Sequence, residues 1–164
     1  MSQRLDQWQI KDFDFGTGPS FNATSDDDSG WVKATAPGDT HCALIKAGRI
    51  ADPFVGRNEA AAAWVAGREW HWRTRFDAAP VADGEHAELV FDGIDTFAAV
   101  YLNGELLGDA DNMFHEWRYD VARKLRAGTN ELLLVFTPVT EAVKEREVPT
   151  WGARSEQLLT TRRA

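Results

Sequence analysis

The side chains in this sequence that can do chemistry are mostly carboxylates, with 26 Asp and Glu against 18 Lys and Arg. Two groups combine them with other hydrogen-bonding residues. Arg57-Asn58-Glu59 sets a fixed cation, an amide and a carboxylate side by side, near Phe54 and Trp64. Asp111-Asn112 stands before Met113-Phe114 in the same way. Polar groups beside flat apolar rings suit a sugar, because pockets for small molecules pair apolar walls with a few convergent polar contacts. The same mixture suits a surface loop pinned by its own hydrogen bonds. Both readings stand for Arg57, Asn58, Glu59, Asp111 and Asn112. Glycoside hydrolysis with retention would need two carboxyl groups about 5–5.5 Å apart, one kept protonated by its surroundings. Glu59, Asp92, Asp95, Asp111 and Glu116 are the groups to consider. Asp92 and Asp95 flank Gly93 in a connection, where aspartate ordinarily supports turns. No residue is assigned a catalytic role.

Other chemistries are poorly provided for. His41, His71, His86 and His115 are scattered, with no second ligand at metal-binding spacing, so no metal is expected. Asp26-Asp27-Asp28 lacks the alternate spacing of a calcium loop and reads as a solvated segment. There is no nucleophile elbow and no phosphate-cradling glycine loop, so no cofactor is expected either. Cys42 is the single cysteine. Its setting, His41-Cys42-Ala43-Leu44-Ile45, reads as a helical pattern in which the thiol acts as a small buried hydrophobe. A net charge of −8 disfavours nucleic acid, whose phosphates require Lys and Arg. It equally disfavours an anionic membrane surface. No apolar run approaches the ~20 residues of a membrane span, and no apolar leader follows Met1. The expected location is cytoplasmic.

The elements that must position these residues are short strands. Asn103-Gly104, between Phe97–Leu102 and Glu105–Gly108, predicts a two-residue hairpin, because both residues tolerate the positive φ of a type I′ turn. Trp70 to Phe76 alternates: Trp70, Trp72, Thr74 and Phe76 share one face, His71, Arg73 and Arg75 the other. Further strands are expected at 8–15, 31–35, 117–121 and 130–136. The run Ala87–Phe91 reads as a strand buried on both faces. Asp39 or Thr40 caps a short helix, 41–47, which Gly48 stops. A helical turn is expected at 60–65, and one more at 121–125. Short strands at this spacing, with one or two short helices and no βαβ rhythm, predict an all-β sandwich or barrel. Seven Trp and nine Phe fit core packing or sugar stacking. After Pro138 the pattern changes. Glu141–Glu147 is charged, Pro149-Thr150-Trp151-Gly152 breaks any helix, and the end from Leu158 has no strand partner in view.

Several segments, taken in order, resemble the N-terminal domain of β-mannosidases of glycoside hydrolase family 2. Thr35-Ala36-Pro37-Gly38-Asp39-Thr40-His41 is similar to that family's Val-Pro-Gly-Asp-Val-His. The stretch from Ala47 through Asp52-Pro53-Phe54-Val55-Gly56-Arg57-Asn58-Glu59 is similar to its Asp-Pro-Phe-Tyr-Gly-x-Asn-Glu. Trp64-Val65, Trp70-His71-Trp72 and the whole run from Phe91-Asp92-Gly93-Ile94-Asp95 to Asp111-Asn112-Met113-Phe114 follow it too. The resemblance covers about residues 8–136. It implies a jelly-roll, galactose-binding-like β-sandwich. It also implies that the full enzyme hydrolyses terminal β-mannosyl residues, with its catalytic glutamates on a separate barrel. A barrel needs about 200 residues or more, so this chain alone is expected to be inactive. The expectation is therefore a sandwich over residues 5–137, with 138–164 leading toward a downstream barrel. The domain would support that barrel and shape its β-mannoside pocket. An autonomous carbohydrate-binding module, or an interaction domain without sugar affinity, are the alternatives.

Overall fold

The computed structural model describes residues 2–18 and 28–144 of the chain. Within them the polypeptide forms β1 (Gln7–Phe13), β2 (Val32–Thr35), α1 (Thr40–Lys46), α2 (Asn58–Ala62) and a 3-10 turn at Ala63–Gly67. There follow β3 (Glu69–Ala78), β4 (Glu88–Phe91), β5 (Ala98–Leu102), β6 (Glu105–Ala110), β7 (Trp117–Asp120), β8 (Gly128–Phe136) and α3 (Val139–Ala142). One sheet has six strands in the order β2-β1-β3-β8-β5-β6, and β4 pairs with β7 in a second, smaller one. All pairings are antiparallel. No helix among the described residues is long and apolar enough to cross a membrane.

The two-residue period of each strand decides what is buried. Register places Ile10 opposite Trp72, Trp72 opposite Leu134, and Leu134 opposite Val100. This row crosses four strands and is 0–9% exposed. Leu89 and Phe91 of β4, with Trp117 and Tyr119 of β7, close over it. Burying each large apolar side chain contributes about 1.5–3 kcal/mol, so the row dominates the core. The predicted hairpin is present: Leu102 faces Glu105, and Asn103 and Gly104 have φ of 54° and 82°. A β-bulge lies between Val100 and Tyr101, where Leu107 is the extra residue on β6.

Two expectations are corrected. The 87–91 strand is not buried on both faces. β4 alternates between half-buried and exposed positions, and Val90 is 43% exposed. Among the described residues its sheet has two strands and covers the core from one side, and its outer face meets water. Cys42 is also exposed. Each helical residue turns the side chain by about 100°, and α1 directs Ala43 and Leu44 inward instead. The hydrogen bond and charge of Asp39 push the Cys42 thiol above its ordinary value, so it is a poor nucleophile.

The helices form near the expected places. Asp39 caps α1 by accepting the Cys42 N–H at 2.9 Å, and Gly48 leaves the helix at φ 68°. The 60–65 turn is the end of α2 with the 3-10 turn that follows. The 121–125 segment closes one turn through Leu125 N–H to Val121 O at 3.0 Å. α3 packs against the 3-10 turn. The features expected from Pro149 onward lie outside the described residues. Replacing Asp39 with Ala is expected to cost about 1 kcal/mol, read as a lower urea midpoint, while Asp39→Asn should keep most of the cap.

Candidate functional site

One end of the sandwich is open. The segments that follow β2, precede β3, follow β4 and follow β8 converge there around a groove of about 440 Å³. Its floor is formed by core residues, among them Trp8, Trp70, Trp72 and Phe136. Asp39, Thr40, Arg68, Asp95, Thr96 and Thr137 supply polar edges. These polar groups are largely engaged with the protein itself. Arg68 pairs with Asp12 at 2.8 Å and also with Asp14. The Thr96 hydroxyl donates to the Asp95 carboxylate. Burial pushes the Asp39 carboxyl up, but hydrogen bonds from Cys42 and the charge of His41 together hold it below its ordinary value. A general acid needs the opposite shift, so Asp39 is not one.

The flanks of the hairpin meet at the rim of this groove. A Cβ on Gly93 would lie 2.8 Å from the Met113 carbonyl, so that approach requires glycine. Met113, Gly93, Ile94 and Asp95 all line the groove. Asp111 and Asn112 stand just before Met113 in the chain, are exposed, and are not among the groove's lining residues. Arg57, Asn58 and Glu59 belong to a different segment and are not among the groove's lining residues. The structure thus does not gather the five predicted residues around this one cavity.

Both loops are held by side-chain hydrogen bonds. The Asp52 carboxylate accepts the Phe54 N–H at 2.9 Å, and the Asn112 amide oxygen accepts the Phe114 N–H at 2.9 Å. These are matching Asx turns, in which a side chain stands in for a backbone carbonyl. Asn58 donates to the Asp52 carbonyl at 3.0 Å, and the Trp117 indole donates to the Asn112 carbonyl at 3.1 Å. Arg57 and Glu59 are exposed at the start of α2. Each Asx turn ends on a phenylalanine that faces water: Phe54 is 91% exposed and Phe114 77%. Trp64 is 40% exposed and stacks at 6.1 Å on Trp70. Of the other carboxylates considered, Glu116 is paired with Arg118 at 2.6 Å.

A buried polar cluster escaped the sequence reading. From Glu69 to Arg73 the polar side of β3 is as buried as its apolar side, whereas Arg75 and Asp77 are exposed. Glu69 is 6% exposed, His71 1% and Arg73 3%. Glu69 accepts hydrogen bonds from the Gly16 N–H at 3.2 Å and shares one with His71 at 2.8 Å. The Phe13 ring lies 4.4 Å from the imidazole, and Gly18 passes so close that a Cβ there would strike both side chains. Arg73 stacks 4.0 Å from the Trp31 ring and bonds to Gln9 and Asp28. Asp28 is thus an ion-pair partner of Arg73, while Asp26 and Asp27 lie outside the described residues. The alternation of Glu69, His71, Arg73 and Arg75 was a legible signal that they share a face. Its burial was not, because residues remote in sequence form the cover. No group of three or more potential metal ligands occurs among the described residues.

Residues 20–164 match the family model described as glycosyl hydrolase 2 galactose-binding domain-like. Over 100 residues the chain is 45% identical to "Beta-mannosidase B" of Thermothelomyces thermophilus, covering 61% of this chain and 12% of the relative. Over 152 residues it is 33% identical to the protein of that name from Neosartorya fischeri, covering 88% of this chain and 18% of the relative. Among solved structures it resembles the β-D-mannosidase of Dictyoglomus thermophilum, with a TM-score of 0.73 and 35% identity over 87% of this chain and 16% of that one. The exo-chitosanase of Amycolatopsis orientalis shares the fold, with a TM-score of 0.71 at 19% identity, over 83% of this chain and 16% of that one.

Proposed function

The chain belongs to the galactose-binding-like domain family of the glycosyl hydrolase 2 enzymes, and from this we propose that it is the non-catalytic N-terminal domain of a β-mannosidase. In that role it supports a catalytic barrel and shapes the pocket for terminal β-mannosyl residues. The sandwich proper runs over residues 5–137, and 138–164 lead toward the barrel. Arg57, Asn58, Glu59, Asp111 and Asn112 are the residues proposed to face the substrate side.

The observation that carries the reading is the pair of exposed rings, Phe54 and Phe114, each on a residue whose backbone N–H closes an Asx turn beside those polar residues. Single exposed apolar residues are ordinary. Two whose backbones are held by Asx turns, each adjoining a proposed site segment, fit a surface that another body covers. A carbohydrate-binding module ranks second. The tryptophans of the groove floor favour it, but Trp8, Trp70 and Trp72 are only 6–9% exposed and offer little ring face for stacking. The exposed, unpaired thiol of Cys42 fits a reducing, cytoplasmic compartment.

The purified chain should show no turnover of a chromogenic β-mannoside. In a chimera, with this chain replacing the matching domain of the Dictyoglomus thermophilum enzyme, β-mannosidase activity should persist. Joint Phe54→Ser and Phe114→Ser changes in that chimera should lower kcat/KM about tenfold, or roughly 1.4 kcal/mol. Turnover by the isolated chain, or an inactive but folded chimera, would overturn the proposal. Sub-millimolar binding of mannobiose by the isolated chain would favour the module instead.

A further inference from the structure

Among the described residues β2 is the outermost strand of the six-stranded sheet, and its pairing shows which backbone groups it offers outward. The Ala36 N–H donates to the Asp6 carbonyl at 3.0 Å. That pair continues the register that sets Gln7 opposite Thr35 and Trp8 opposite Ala34. Bonded and non-bonded pairs alternate along an antiparallel ladder. Val32 and Ala34 therefore bond toward β1, as Ala36 does. Lys33 turns its N–H and C=O, and Thr35 its N–H, away from the sheet, while the Thr35 carbonyl lies against Gly38; both residues are exposed.

A groove of about 740 Å³ runs along this edge, with α1 as its far wall. Its charged residues are Lys33, Lys46, Arg49 and Asp39. Asp39 is already occupied in capping α1. The groove is thus locally positive on a chain whose net charge is −8.

We propose that the β2 edge receives an extended acidic peptide segment of a partner protein as an additional strand, its carboxylates meeting Lys33, Lys46 and Arg49. Outward N–H and C=O groups supply the affinity in strand addition, and flanking side chains supply the selection. A second copy of the chain does not fit, because paired β2 edges would set Lys33 near Lys33, and like charges across strands repel. A short edge strand carrying lysine is a common guard against self-pairing. An acidic strand is the kind that passes it. The proposal is independent of the β-mannosidase reading.

The test uses the 164-residue chain and an acetylated Glu-Val-Glu-Val-Glu peptide as probe. Amide NMR shifts should cluster at residues 32–35, and hydrogen exchange at Lys33 and Thr35 should slow. Joint reversal by Lys33→Glu and Lys46→Glu should weaken binding at least about tenfold, as loss of electrostatic complementarity does. The same peptide N-methylated at alternate amides should not bind. That arm needs no protein variant, so it decides the matter even if the reversal misfolds. Silence at residues 32–35 with millimolar peptide would overturn the proposal. Equal binding of the N-methylated peptide would overturn it as well, and so would equal protection by heparin, which carries charge without strand-forming amides.

Discussion

Replacing Asn130 with leucine is expected to destabilise the fold by about 3–5 kcal/mol, because several buried polar groups lose their partner at once. Asn130 is 0% exposed. Its amide oxygen accepts the Arg126 N–H and the Asn103 side-chain N–H, each at 2.8 Å. Its NH₂ donates to the Arg126 and Gly128 carbonyls, each at 2.9 Å. Asn103 in turn accepts the Glu131 N–H at 3.0 Å and donates to the Lys124 carbonyl at 3.1 Å. One buried amide thus ties the hairpin turn, the 124–128 loop and the start of β8 together. Leucine keeps the branched skeleton and is bulkier than asparagine, so it leaves no cavity, and the loss combines missing hydrogen bonds with some overpacking. Domains of this size have about 5–15 kcal/mol in all, so the variant should show a much lower urea midpoint. Asn130→Asp should fail comparably, since it keeps the acceptor but loses both donors and adds a buried charge. A cost below about 1 kcal/mol would show that the network is not structurally important.

The second large effect concerns His71. Burial pushes its pKa below the ordinary value, more than the opposing hydrogen bond and charge of Glu69 raise it. The unfolded chain, with an ordinary histidine near 6.5, therefore binds the proton more readily than the folded chain. Stability linked to His71 is fully present above about pH 6.5 and is lost as pH falls through the depressed folded value. Urea midpoints should decline as the solution is acidified below that point. Glu69 on its own strand and the Phe13 ring on β1 are among the groups facing the imidazole, with Gly16 and Gly18 close to the pair. His71→Phe keeps the ring and removes this proton site, so its pH slope should flatten. It should also cost about 1–3 kcal/mol at neutral pH, because Glu69 loses its hydrogen bond to the neutral imidazole and is left buried with one partner fewer. An unchanged slope in that variant would assign the acid sensitivity to the carboxylates instead.

Much of this was legible in the residues. Asn103-Gly104 announced its hairpin because few dipeptides accept two positive φ values in succession. Trp70 to Phe76 announced its strand by period, and Asp39 its cap. Such signals are local, carried by the conformational limits of one to seven neighbouring residues. Where the reading failed, the missing information was remote. Val90 looks like core within Ala87–Phe91, yet is exposed because, among the described residues, the β4–β7 sheet covers the core with one face and no layer covers its other face. Cys42 sits in an apolar run, yet the rotation of α1 faces it to water.

The candidate site divides along the same line. The sequence alone determined that Arg57-Asn58-Glu59 and Asp111-Asn112 adjoin aromatic residues, that the chain is an all-β sandwich, and, through ordered motifs, which family it joins. Only the tertiary structure decided that these two segments do not line a common groove, and that each presents a water-facing phenylalanine. It alone revealed the buried Glu69–His71 pair and the outward edge of β2. The physical reason is the range of the interactions. Turns, caps and alternation arise between neighbours in the chain. Burial, and the free edge of a sheet, depend on which distant segments arrive to cover a surface.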